Sequence, residues 1–317
     1  MPDLADFLNA DATLDPLDKA SANAILALAE AAATIAGLIR DPKASSGFGV
    51  ARDSANADGD TQKALDVVCD DLVSAALARA GVAVYLSEEQ DEPVSLAADG
   101  KVIVACDPLD GSSNIDTNIS IGTIFSILPA AGGTLQAGRN QLASGFFVYG
   151  PQTTMLLTTG EGVHAFQMDE SGRFQQLDWD VKIAPETGEF AINASNSRHW
   201  FKAVSAYITD CLSGKDGPRG RNFNMRWVGS LVADSWRIFR RGGVFLYPGD
   251  ARNGYGDGRL RLIYEAAPVA LLVEQAGGRA ITGDMDILDV KPESLHQRVP
   301  LIFGSSNEVD VIATYHS

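Results

Sequence analysis

Two short apolar segments that each lead directly into acidic residues constrain the fold of this chain more than any other feature. Residues 82–86 (VAVYL) are followed by SEE, and residues 102–106 (VIVAC) are followed by DPLD. Continuously apolar strands are typical of sheets that are covered on both faces, so the pattern predicts a layered α/β fold. Each of these strands brings acidic side chains to its carboxyl end.

The remaining segments predict alternating helices and strands. Apolar residues at helical spacing predict helices over residues 17–40, from 60 onward, and over about 200–212, 231–240 and 262–276. Short segments of apolar and aromatic residues predict further strands over residues 121–128, 145–149, 154–158, 244–247 and 301–303. Residues 43–60 have few large apolar side chains and are predicted to form a mobile loop. The pattern changes near residues 181–185, which predicts two domains, 1–182 and 183–317.

Composition excludes several classes of function. A net charge of −16 over 317 residues argues against nucleic-acid binding, which requires a surplus of Lys and Arg on one face. The acidic N-terminus does not resemble a secretory signal, and the sequence reading finds no apolar run of the roughly 20 residues that a membrane helix needs. Cys69, Cys106 and Cys211 are widely spaced and are predicted to be reduced thiols. A cytoplasmic protein is therefore expected.

The acidic residues indicate a candidate cation site because the two apolar segments are expected to be neighbouring strands. A Glu-Glu pair or an Asp-Pro turn alone is common in solvated loops. Four carboxylates at one edge of a sheet repel one another unless cations neutralise them, and oxygen ligands without His or Cys favour Mg²⁺ or Mn²⁺. The following residues, DGSSN, supply a turn whose backbone N–H groups can bind a phosphate. Metal and phosphate at one place indicate phosphoryl transfer to water.

The chain resembles the class I fructose-1,6-bisphosphatases, within the wider group of lithium-sensitive metal phosphatases. The similar blocks follow the order of the family and span nearly the whole chain. They are GDTQKALDV (59–67), LSEEQ (86–90), DPLDGSSNID (107–116), SIGTIFSI (120–127), RWVGSLVAD (226–234), GGVFLYP (242–248), GRLRLIYEAAPVALLVEQAGG (258–278) and LHQRVPLIFGS (295–305). The resemblance implies the two-domain sugar-phosphatase fold. It places the metal and 1-phosphate site in the first domain, and the sugar and 6-phosphate site in the second.

The resemblance also implies roles for individual residues. It implies two or more Mg²⁺ ions, or Mn²⁺, at each active site; their ligands are Glu88, Asp107, Asp110, Glu265 and the backbone carbonyl of Leu109. It implies that Glu89 and Asp60 activate the attacking water, with Asp60 arriving when the loop of residues 43–60 closes.

For the substrate, the resemblance implies two phosphate sites. The phosphate that is removed contacts Asp110, Gly111, Ser112 and Ser113, and Asn193, Tyr247 and Arg259 hold the sugar and the 6-phosphate. Arg226 reaches the 6-phosphate of a neighbouring subunit, which implies a homotetramer. Three positions depart from the family: Arg259 replaces a usual Lys, and Asn196 and Trp227 replace usual Tyr residues.

The leading hypothesis is hydrolysis of fructose 1,6-bisphosphate to fructose 6-phosphate, in gluconeogenesis or the Calvin cycle. Sedoheptulose-1,7-bisphosphatase activity, alone or alongside, stays open because the two substrates share the end that meets the metals. Inositol monophosphatase activity is disfavoured because it needs no second phosphate pocket. A sugar-phosphate sensor without activity is disfavoured because every acidic residue that the chemistry needs is present.

Overall fold

The structure is a computed structural model that describes residues 2–10, 15–41, 51–55 and 61–316, and only the backbone of 51–55 and 61–63. Two β-sheets alternate with three helical layers. The helices are α1 Leu4–Leu8, α2 Pro16–Arg40, α3 Ala64–Arg79, α4 Lys202–Leu212, α5 Leu231–Arg241, α6 Ala267–Gln275 and α7 Ser306–His316. This arrangement confirms the predicted layered α/β fold.

The first sheet has eight strands in the order β10-β9-β8-β7-β6-β5-β3-β4. Only β3 and β5 pair in parallel; every other neighbouring pair is antiparallel. The strands are β3 Val84–Ser87, β4 Val94–Ser95, β5 Val102–Asp110, β6 Ile121–Pro129, β7 Ala143–Tyr149, β8 Thr153–Thr158, β9 His164–Met168 and β10 Phe174–Asp178.

The second sheet has five strands in the order β12-β11-β13-β17-β15. Two short antiparallel ribbons, β1-β2 and β14-β16, complete the strands. These remaining strands are β1 Ala51–Ala55, β2 Thr61–Lys63, β11 Glu189–Ile192, β12 Asn224–Met225, β13 Val244–Tyr247, β14 Leu260–Arg261, β15 Arg279–Ile281, β16 Arg298–Val299 and β17 Leu301–Gly304.

Alternating side chains of each sheet pack into the cores between the layers. On one face of the first sheet, α1, α2 and α3 pack on residues such as Val104 and Phe125. On its other face, α5 and α6 pack between the first sheet and the second, in a core that includes Phe146 and Phe245. Helices α4 and α7 cover the outer face of the second sheet. The division into domains 1–182 and 183–317 stays a prediction.

Helix α2 is long and apolar enough to cross a membrane, by length and composition alone. The expectation that no apolar segment approaches about 20 residues did not anticipate this helix. Half of its most apolar stretch is buried inside the protein, and Ile25, Leu28 and Ile35 pack in the first core. A buried face of this kind is typical of a core helix.

Most predicted elements are confirmed, with three corrections. Helix α3 begins at Ala64 and not at residue 60, because residues 61–63 pair as β2 with β1. Residues 51–55, which were predicted to belong to a loop, form β1. The predicted helix over 262–276 is a π-helical turn, Leu262–Ala266, followed by α6. Strands β9 and β10 and helix α7 were not predicted.

Candidate active site

The predicted edge of acidic residues exists. Strands β3 and β5 lie side by side in parallel, and Ser87 is opposite Cys106. The backbone N–H of Glu88 donates to the carbonyl of Cys106 at 3.0 Å, so the pairing continues to the point where the acidic residues begin. Glu88 and Asp107 are therefore delivered to the same end of the sheet, as the sequence predicted.

A bulge turns two aspartates of β5 to the same side. In a regular strand, residues three positions apart point to opposite faces. Here Asp107 is opposite Ile124 while Asp110 is opposite Gly122, so three steps on β5 match two on β6. The extra residue places both carboxylates on one face. Thr123 stabilises the irregularity by donating its hydroxyl to the carbonyl of Pro108 at 2.8 Å.

Glu265 completes a cluster of three buried carboxylates. One carboxylate oxygen from each of Asp107, Asp110 and Glu265 lies within 4.8 Å of the other two. Glu265 lies in the π-helical turn that precedes α6, and its Oε2 accepts the backbone N–H of Arg261 at 2.6 Å. The structure thus unites three of the four predicted acidic metal ligands in one group. π-Helical turns occur often at functional sites.

The three carboxylates are poorly stabilised as anions by the protein alone. Burial, followed by the charges of Glu88, Asp110 and Glu265, raises the pKa of Asp107 well above its usual value. Burial raises the pKa of Asp110 to about 6, although the N–H of Val232, which donates to its carboxylate at 3.1 Å, opposes the shift. Burial also raises the pKa of Glu265 to about 7, against the opposing charge of Arg261. A bound cation would relieve this repulsion and desolvation.

Glu88 lies beside the cluster and forms an ion pair with Arg261. Its Oε1 is 2.8 Å from Nη2 of Arg261, and both side chains are largely buried. Arg261 is therefore an ion-pair residue of the site. Glu89 follows Glu88 and is only partly buried, which leaves it accessible to a substrate or water. Asp60 lies outside the described residues.

A buried aspartate that sequence reasoning missed anchors the turn carrying Glu88 and Glu89. Oδ1 of Asp70, on α3, accepts the hydroxyls of Tyr85 at 2.8 Å and Ser87 at 2.6 Å. Its Oδ2 accepts Nε2 of Gln90 at 2.6 Å. An acidic residue within a helix carries no sequence signal for such a role. The network fixes the chain on both sides of the two glutamates.

The segment after Asp110 forms a tight turn against the N-terminus of α5. Gly111 has φ +80°, a left-handed conformation that glycine adopts without strain, and residues 112–117 form a 3₁₀ helix. Nδ2 of Asn114 donates to the carbonyl of Gly229 at 2.9 Å, just before the Ser230 cap of α5. The turn of Gly111, Ser112 and Ser113 and the α5 N-terminus therefore adjoin the carboxylate cluster, where an anion is favoured.

A second pocket brings together the residues predicted to hold the sugar and its far phosphate. Asn193, Tyr247 and Arg259 line it, along with Asn196 and other residues. It also includes Arg252, which sequence reasoning missed because loop residues of this composition show no periodic signal. Burial raises the pKa of Tyr247, which keeps its hydroxyl a donor.

The side chains of Arg226 and Leu109 belong neither to the carboxylate cluster nor to the lining of the second pocket. Arg226 is exposed on the surface, and its Nε lies 2.9 Å from the carboxylate of Glu189. Leu109 is buried between the two aspartates of β5, and its N–H donates to Asp107 at 2.9 Å. Trp227 stacks in parallel with Phe245.

Comparisons with known proteins agree with this geometry. Residues 12–178 match the family model of the fructose-1-6-bisphosphatase N-terminal domain, and residues 183–317 match that of the C-terminal domain. The chain is 54% identical to a class 1 fructose-1,6-bisphosphatase of Azorhizobium caulinodans, over 98% of each chain. It is 50% identical to one of Xanthobacter autotrophicus, over 99% of this chain and 98% of that one. The crystal structure of Leishmania major fructose-1,6-bisphosphatase in holo form is similar, with a TM-score of 0.91, 31% identity and coverage of 99% and 98%.

Proposed function

The chain belongs to the class 1 fructose-1,6-bisphosphatases and is a Mg-dependent phosphohydrolase, and we propose that the carboxylate cluster and the two adjoining pockets carry its reaction. The reaction is hydrolysis of fructose 1,6-bisphosphate to fructose 6-phosphate and phosphate. The observation that carries the assignment of residues is the group of Asp107, Asp110 and Glu265 beside the Gly111 turn.

The donor set fits hard divalent cations. The three clustered ligands are carboxylates, they are buried, and their pKa values are raised because little in the protein offsets their charge. We assign Mg²⁺ or Mn²⁺, two or more per site, to this cluster together with Glu88 and the carbonyl of Leu109. When bound, these ions polarise the phosphate and stabilise the leaving alkoxide.

The protein's own groups orient the phosphate that is removed. Backbone N–H groups of Gly111, Ser112 and Ser113 donate to its oxygens, and the α5 N-terminus favours its negative charge. Glu89 accepts a proton from the attacking water or orients it, held in place by the turn that Asp70 anchors. Asp60 is assigned the same role on the basis of the family resemblance alone.

The second pocket holds the part of the substrate that remains. Arg259 binds the 6-phosphate through its guanidinium fork, Tyr247 donates its hydroxyl, and Asn193 contacts the sugar. Arg226 is assigned to the same phosphate in a neighbouring subunit of a homotetramer. Its exposure on the surface supports this assignment.

A cytoplasmic location is part of the proposal. Cys69, Cys106 and Cys211 are all buried and free, which suits a reducing compartment.

Mg²⁺-dependent phosphate release from fructose 1,6-bisphosphate by the Asp110→Asn variant tests the assignment. We expect kcat to fall at least 100-fold, because one cluster ligand loses its charge. The exposed Asp99→Asn variant is the matched control and should retain parental activity. Full activity of Asp110→Asn would refute the role of the cluster.

A further inference from the structure

The loop between Tyr247 and Arg259, residues 248–258, folds back on itself beside the second pocket. The N–H of Asp250 donates to the carbonyl of Tyr255 at 3.0 Å, and the N–H of Tyr255 donates to that of Arg252 at 3.1 Å. The N–H of Ala251 donates to the carbonyl of His199, which ties the loop to the segment after Asn193. The loop is therefore an ordered wall of the pocket.

Arg252 lines this pocket with a fixed side chain. Its Nε lies 2.9 Å from Oδ1 of Asp250, and its Nη2 contacts the second oxygen of the same carboxylate. The Asp250 side chain is 5% exposed, so its position is well defined. Within the described part of the chain, no acceptor contacts Nη1 of Arg252. One end of the guanidinium is held and the other retains its donors.

Tyr255 places two arginines together. The guanidinium carbon of Arg252 lies 4.4 Å from the centre of the Tyr255 ring, and that of Arg259 lies 4.8 Å from the same centre. Cation–π contacts of this length orient both guanidiniums against one ring. Arg252 is thus held near the arginine assigned to the 6-phosphate.

The charges of both arginines act on the same polar group. Burial and the charge of Glu265 raise the pKa of Tyr247, while the charges of Arg259 and Arg252 oppose the shift. Among the described residues Arg259 has no carboxylate partner, whereas Asp250 neutralises Arg252. The pocket therefore keeps a net positive charge, and both guanidiniums are close enough to affect the Tyr247 hydroxyl.

We propose that Arg252 is a second guanidinium that binds the phosphate retained in the product, through Nη1 and beside Arg259. A phosphate monoester is a dianion near neutral pH and offers three oxygens, which is more than one guanidinium satisfies. Asp250 and Tyr255 position the side chain. This inference rests on the proposed function, in which the pocket of Tyr247 and Arg259 receives the 6-phosphate.

The test measures the Kd of fructose 6-phosphate by calorimetry, and kcat/KM for fructose 1,6-bisphosphate and for fructose 1-phosphate. In Arg252→Gln we expect the Kd to rise and kcat/KM for the bisphosphate to fall about 10- to 100-fold, as for the loss of a charged hydrogen bond. With fructose 1-phosphate, which lacks the retained phosphate, the change should stay within about twofold.

Two further variants separate direct binding from indirect effects. In Arg252→Gln the Asp250 carboxylate loses its partner and could itself repel phosphate, so the Asp250→Asn/Arg252→Gln double variant removes both charges. We expect the double variant to lose affinity as the single one does. Arg198→Gln removes an exposed guanidinium from the segment after Asn193 and should leave both constants unchanged.

Three results would overturn the inference: unchanged affinity in Arg252→Gln, recovery of affinity in the double variant, or an equal loss with fructose 1-phosphate. Failure of the proposed function would appear differently, as a parental protein that releases no phosphate from fructose 1,6-bisphosphate. The calorimetric comparison needs no turnover, so it tests Arg252 in that case too.

Discussion

Replacing Glu265 by Gln should stabilise the metal-free protein at pH 8. One carboxylate oxygen of each cluster residue lies within 4.8 Å of the others, and two unit charges at that distance repel by about 3 kcal/mol at an effective dielectric constant of about 20. The pKa of Glu265 gives a consistent figure. A rise from 4.5 to about 7 corresponds to about 3 kcal/mol of folding free energy lost once the group is ionised. The amide oxygen of Gln can still accept the N–H of Arg261.

The sign of the pH dependence follows from the same shift. Because the pKa is higher in the folded protein, the folded state holds its proton over a range in which the unfolded chain has lost it. The parent therefore loses stability as pH rises from about 4.5 through about 7. The gain in Glu265→Gln should be about 3 kcal/mol at pH 8 and below about 1 kcal/mol at pH 5.

Urea unfolding at pH 5 and pH 8, in EDTA and in Mg²⁺, measures these differences. Mg²⁺ should stabilise the parent at pH 8 and should stabilise the variant much less, because ligand binding to the folded state raises its stability. The exposed Glu161→Gln variant is the control and should follow the parent throughout. A Glu265→Gln protein that is less stable than the parent at pH 8 in EDTA would refute the reasoning.

Two further predictions concern a buried ion pair of the outer core and the packing of α5 on the first sheet. Glu308 is 1% exposed and accepts two hydrogen bonds from Arg219, so Glu308→Ala should lower the free energy of unfolding by about 3–5 kcal/mol in urea; a loss below about 1 kcal/mol would contradict this. A methyl group at Gly122 would lie 2.2 Å from a backbone carbonyl of β7 and 2.6 Å from Val232 of α5. Gly122→Ala should therefore lower thermal stability and kcat together, since overpacking costs about 1–3 kcal/mol and displaces the α5 N-terminus; unchanged values in calorimetry and phosphate release would exclude it.

The sequence predicted the parts of the site that depend on strand order. Residues 82–86 and 102–106 are apolar throughout, which identified them as buried strands, and their parallel pairing brought Glu88 and Asp107 to one edge. Periodic segments such as α2 and α5 were placed within one or two residues. The spacing of apolar residues along the chain predicts such elements, because burial repeats with the period of the helix or strand.

Other features depend on contacts between distant residues, so no local pattern reveals them. The bulge that aligns Asp107 with Asp110 depends on the pairing of β5 with β6. Only the family resemblance implied a role for Glu265, whose position depends on a π-helical turn. Strand β10 was missed because it is largely polar and only partly buried. The position of Arg252 in the second pocket depends on how a glycine-rich loop folds.

Phosphate release in parallel from fructose 1,6-bisphosphate, sedoheptulose 1,7-bisphosphate and inositol 1-phosphate, in Mg²⁺ and in EDTA, tests the central claim most directly. We predict Mg²⁺-dependent release with the highest kcat/KM for fructose 1,6-bisphosphate, and little release from inositol 1-phosphate, which offers nothing to the pocket of Arg259. A preference for the sedoheptulose substrate would revise the specificity. Release from none of the three, or release that persists in EDTA, would contradict the account.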